Sequence, residues 1–189
     1  LAARYAAIDP DAILRSAMQG SPVLARGAPG AVLHPLAYIV NCSDDLSRVA
    51  LVARVQSASW DGRYMVHLPT TYPHATLVKG EADALAALRG DMVRGATVLR
   101  RMIEQDARGE LSRPLYKADV GSMNLACSSV SGLVPARLML APNTDVVEEG
   151  SDYVIVRSSG DTRASGALGG LMFGLHYLRK DQLHTFRRR

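Results

Sequence analysis

Apolar and polar positions alternate most clearly in "SRVALVARVQS", residues 47–57, where Val49, Leu51, Ala53 and Val55 share one face of an extended chain. That pattern predicts a strand. "AVLHPLAYIV" (31–40) reads as a strand that contains a proline, hence an edge or bulged strand, and "DGRYMVHL" (61–68) as the next strand of a meander. "TTYPHATLV" adds a loop and a short strand. Helical spacing occurs in "PDAILRSAMQ" (10–19), which has Pro10 in its first turn and an acid at its start, and in "GEADALAALRG" (80–90). "ATVLRRMIEQD" fits strand or helix equally, and "ARGELSRP" reads as an exposed loop.

The second half begins with a small-residue run, "VGSMNLACSS" (120–129), which reads as a helix extending to about Gly132. A strand is expected over 134–141, a loop over "PNTDVVEEGSD", a buried strand over 153–158, and a loop then a helix over 159–178, capped by Asp161 or Ser159. The order is a β-rich first half followed by helix–strand–strand–helix, which predicts one α/β or α+β domain over 1–178.

Charge changes this picture at one place. Five of the 22 basic residues (Arg179, Lys180, Arg187, Arg188 and Arg189) lie in the last eleven positions, so 179–189 reads as a solvated basic tail. Such a tail can meet nucleic acid or a partner. Cys42 and Cys127 are too few for a disulfide framework and read as free thiols in a reducing compartment. No signal-peptide pattern is visible, and the start, "LAARYAAIDP", reads as cut from something longer. "GALGGLMFGLHYL" is too short and glycine-rich to span a bilayer. The five histidines show no ligand spacing, so neither a metal nor a cofactor is expected. "SSGDTRASGALGG" lacks a phosphate-loop pattern. Trp60, Tyr64 and Tyr72 read as packing residues in preference to a stacking surface for bases.

Ser122 draws attention because it follows Gly121 and precedes the small-residue run. A hydroxyl at a helix N-terminus lies beside unpaired N–H groups that can bind an oxyanion. The plain alternative is a helix cap.

The second half resembles the Ser–Lys polyprotein proteases of birnaviruses, which share their catalytic fold with Lon proteases. "VGSMNLACSS" is similar to the family's nucleophile segment. "SSVSGLVPARLMLA" resembles the helix end and strand that follow it, and "SSGDTRASGALGGLMFG" the helix that bears the family's lysine. "GAVLHPLAYIV" and "SRVALVARVQS" are similar to an upstream strand pair. The resemblance implies a Lon-protease-like domain and a viral serine endopeptidase in the host-cell cytoplasm. Its substrate would be an extended polyprotein segment with small side chains. It also implies Ser122 as nucleophile and Thr144, in a loop, as the hydroxyl that orients the base.

The position that matches the lysine is Asp161, 39 residues after Ser122. An aspartate is a weaker base, and its charge opposes an oxyanion. Three explanations lie open: a protease inactivated at its base, a shifted alignment with another base, or a dyad in which Asp161 acts directly or with a histidine such as His67. Two further readings stand beside these: a catalytically inactive scaffold of the same fold, and a structural or assembly protein that uses its basic tail.

Overall fold

The computed structural model describes residues 8–25, 32–41, 45–122, 140–158 and 173–189. The chain is of the α+β class, and its internal contacts form two compact units, Leu1–Arg108 and Gly109–Arg189. Among the described residues no helix is long and apolar enough to cross a membrane.

The first unit begins with α1 (Pro10–Met18), where the Asp9 carboxylate accepts the Asp11 N–H at 2.9 Å. That cap and Pro10 at the first turn start the helix where the sequence placed it. A short turn of helix, α2 (Pro22–Ala25), follows. Strands β1 (Val32–Asn41), β2 (Leu46–Gln56) and β3 (Asp61–Pro73) form an antiparallel meander, with Val32 opposite Gln56 and Leu51 opposite Val66. β1 lies at the edge, as its proline required. β3 runs on to Pro73, through the loop expected after residue 68, and α3 (His74–Lys79) follows it.

The expected helix over 80–90 is one part of α4 (Ala82–Ala107), a single helix of 26 residues. Its buried residues Leu88, Asp91, Met92, Gly95, Ala96, Leu99, Met102 and Ile103 recur at helical spacing along one stripe. That stripe settles the ambiguous segment as helix. Gly95 lets α4 approach the sheet: a Cβ there would meet Leu68 Cδ2 at 2.7 Å and Leu51 Cδ1 at 3.0 Å. Both leucines are buried and have little room to yield. Gly95→Val is therefore expected to cost about 1–3 kcal/mol through overpacking, measured by urea unfolding. Arg100 fixes α1 to α4 by donating to the Ala17 and Gln19 carbonyls at 3.0 and 3.1 Å. These are unpaired acceptors at a helix C-terminus.

The second unit contains β4 (Tyr116–Ser122), β5 (Leu140–Glu149), β6 (Tyr153–Ser158), β7 (Gly174–Arg179) and β8 (Leu183–Arg188). They are antiparallel neighbours in the order β7-β6-β5-β4-β8. β7 and β8 stand at opposite ends of that order, yet only a 3-10 turn (Lys180–Gln182) joins them. Four strand spacings in a flat sheet are about 19 Å. The four Cα steps from Arg179 to Leu183 span at most about 14 Å. The sheet must therefore coil, and it does so around Ala118, Val120, Val146, Val154, Val156 and Leu178, with Tyr116, Leu183 and Phe186 packed against them.

Four expectations change here. Val120–Ser122 are the end of a strand, not the start of a helix; the helix expected beyond them lies outside the described residues, as does the strand expected over 134–141 except for its last two residues, which open β5. Thr144 belongs to β5 and not to a loop. The loop expected to begin at "PN" is there a bulge in β5: Asn143 takes φ +55, and its N–H donates to the Asp119 carboxylate at 3.0 Å. The described end of the expected helix over 159–178 is the strand β7, with Leu175, His176 and Leu178 buried. Finally, the basic tail is not a tail, because β8 pairs with β4.

Candidate functional site

Ser122 is fully buried, 0% exposed, and closes β4 directly behind Gly121. Its strand partner on the β8 side is Leu183. Alternation along β4 puts Ala118, Val120 and Ser122 on the same face, which is the core face. Thr144 is also buried, but it pairs with Ala118. Ala118 precedes Ser122 by four residues, about 13 Å of strand. The structure thus does not bring the Thr144 hydroxyl to Ser122. Asp161, the third residue of the expected set, lies outside the described residues, as do Cys42 and Cys127. His67 is buried on β3 in the first unit.

The chain's three lysines are all described. Lys117 donates to Asp145 at 2.7 Å and Lys180 to Glu149 at 2.8 Å. Lys79 is an exposed residue in the last turn of α3, in the first unit. A lysine that takes a proton from serine must be neutral, which requires an apolar site away from anions. Lys117 and Lys180 have the opposite setting.

Glu149 gathers three partners. It accepts from Lys180, from the Tyr116 hydroxyl, and from Arg188 at 2.6 Å, and the Arg188 guanidinium lies 4.6 Å above the Tyr116 ring. The Lys180 and Tyr116 hydrogen bonds hold its pKa at about 2, below the ordinary 4.5. A depressed carboxylate contributes stability that is present above its unfolded pKa and lost as pH falls through the folded one. The second unit is therefore expected to lose stability between about pH 4.5 and pH 2. Glu149→Gln should flatten that part of a urea-midpoint-against-pH curve while lowering the midpoint at pH 7. Asp119 is likewise held below the usual carboxylate range, first by the bidentate hydrogen bonds of Arg189 at 2.8 and 2.7 Å, then by the Asn143 N–H.

In the first unit Ser47 Oγ lies 3.3 Å from His74 Nδ1, a contact that joins β2 to α3. No local pattern signals it, since 27 residues separate the two. Ser47 is fully buried, which suits a tie between elements more than a nucleophile. Among the described residues no group of three or more His, Cys, Asp or Glu is placed to hold a metal ion.

Among the described residues, exposed apolar side chains are concentrated on β1. Val32, Leu36, Tyr38 and Ile39 are 49%, 51%, 45% and 39% exposed. Val32, Leu36 and Tyr38 share one face by alternation, with exposed His34 among them. The strand, "VLHPLAYIVN", carries no Asp, Glu, Lys or Arg.

No protein-family model matches the chain, and neither a curated protein nor a solved structure matches it.

Proposed function

We propose that the chain is a structural module that associates with a second copy of itself through the exposed face of β1. The supporting observation is that face: an edge strand with three large, half-exposed apolar side chains on one side, a fourth, Ile39, on the other, and no charge. Edge strands in monomers are commonly blunted by charged residues, above all lysine. Apolar surface concentrated in this way marks a contact site. A second copy offers the same neutral stripe. Two such stripes related by a two-fold axis place no like charges opposite one another. Pro35 takes one backbone donor out of the strand and discourages ladder pairing, so side chains carry the contact.

Four half-exposed side chains bury far less than the roughly 800 Å² per partner of a standard interface. The association is therefore a weak, concentration-dependent equilibrium. Sedimentation from about 10 μM to 1 mM should show the mass rising from monomer toward dimer, on the scale where weak interfaces act. Leu36→Lys and Tyr38→Lys should each shift that midpoint at least about tenfold, the effect of about 1.4 kcal/mol. A wild-type mass that stays monomeric over the range refutes the reading.

The second reading is a serine endopeptidase of the birnavirus Ser–Lys type, acting in the host-cell cytoplasm on a polyprotein segment with small side chains. Its support is Ser122, at a strand end behind Gly121, and it requires Asp161 as base or a site inactivated there. The ion-paired Lys117 and Lys180 weigh against a Ser–Lys dyad. Incubation with alanine-rich peptides separates the two readings: the module leaves them intact, whereas hydrolysis that disappears in Ser122→Ala establishes the peptidase.

A further inference from the structure

β8 differs from the other strands of the second unit. None of its side chains is fully buried, and in the strand order it has a single neighbour, β4. It is held by the ladder from Ala118–Arg188 to Ser122–Leu183, by half-buried Leu183 and Phe186, and by two ion pairs. Those pairs, Arg188–Glu149 and Arg189–Asp119, have arginines that are 64% and 57% exposed. Pairs of that kind are worth little each and weaken with salt. An edge strand with few buried contacts and exposed charges belongs to the low-stability end of a structure, the part that opens locally.

The edge beneath β8 has a definite chemistry. At one end it carries the carboxylates of Asp119 and Glu149, both held well below their usual pKa range by basic partners. In the middle it meets Phe186 opposite Val120, and at the far end Leu183 opposite Ser122. From this we infer that the β4 edge is an acceptor site for an extended peptide with β8's own pattern, two apolar side chains three apart followed by arginines, and that β8 is the strap that closes it. The backbone of β4 supplies the ladder, as in other cases of strand addition. The two carboxylates select a basic end, and the coiled core takes the apolar side chains. Opening the strap also unpairs Ser122 from Leu183. This site is independent of the β1 contact and stands or falls separately from it.

Hydrogen exchange on the full chain tests the strap. The amides of 183–188 are expected to exchange at least about tenfold faster than those of β5 and β6, and the difference should widen in 0.5 M salt. Exchange of β8 at the rate of β5 and β6 overturns the proposal. The acceptor is tested with a labelled peptide LHTFRRR, identical to residues 183–189. The tethered strap competes at an effective concentration of about millimolar, so wild type should bind the peptide weakly. Phe186→Asp, which spoils the strap and leaves the β4 edge intact, should bind it at least about tenfold more tightly. Adding Asp119→Asn should reverse most of that gain. No binding to a folded Phe186→Asp chain contradicts the acceptor site. A Phe186→Asp chain that fails to fold makes β8 part of the cooperative core and contradicts the strap.

Discussion

Asp91→Ala is expected to unfold the first unit some 10–30 °C below wild type, as a loss of about 2–4 kcal/mol in a domain of this size. Asp91 sits in the buried stripe of α4 and accepts from the Tyr72 hydroxyl at 2.5 Å and from Arg94. Burial pushes its pKa up, but the hydrogen bonds of Thr70, Tyr72 and Arg94 outweigh that and hold it below the usual range. The Tyr72 hydroxyl is in turn pushed well above the usual phenol value, by burial first and then by the Asp91 carboxylate. The pair thus joins β3 to α4 with the tyrosine as donor. Alanine removes the acceptor and leaves a buried hydroxyl without it, which costs more than the net value of one hydrogen bond. Tyr72→Phe removes donor and hydroxyl together, and Asp91 keeps Thr70 and Arg94. Its cost should be nearer 1 kcal/mol. Thermal unfolding of both variants checks the argument, and equal losses would contradict it.

Leu99→Ala should cost about 2–5 kcal/mol in urea unfolding. Leu99 is buried in the α4 stripe between Ala96 and Met102, and its removal leaves a cavity that the buried neighbours cannot fill. Exposed Val93, on the same helix, provides the control: Val93→Ala should stay within about 0.5 kcal/mol of wild type.

These two predictions depend on α4, which shows what the sequence made legible and what it hid. The start of α1 could be read, because Pro10 and the acid beside it act locally. The meander could be read, because alternation in 47–57 is a property of neighbouring residues. The length of α4 could not. Gly90 and Gly95 look like breaks, and only contact with Leu51 and Leu68 explains why Gly95 is wanted there. β5 was hidden by "PN", a turn signal that serves as a bulge once Asp119 accepts the Asn143 N–H. β8 was hidden by its charge. A run of arginines reads as a solvated end until Glu149 and Asp119, distant in sequence, are seen to hold Arg188 and Arg189.

The candidate site was less legible than the fold. Ser122 stood out for a glycine and a helix terminus, yet it closes a strand and is buried beside Leu183. Thr144 was expected beside the base through a resemblance; it pairs with Ala118, and the base position, Asp161, lies outside the described residues. The exposed face of β1 was present in "VLHPLAYIVN", but no local pattern tells an apolar face that packs inward from one that meets solvent.

The most direct test of the central claim is two-dimensional NMR of the methyl and tyrosine-ring signals across a dilution series. The account predicts concentration-dependent shifts at Val32, Leu36, Tyr38 and Ile39, absent in Leu36→Lys, with the cores of both units unchanged. Spectra that do not change with concentration, or shifts that fall elsewhere on the chain, would contradict it.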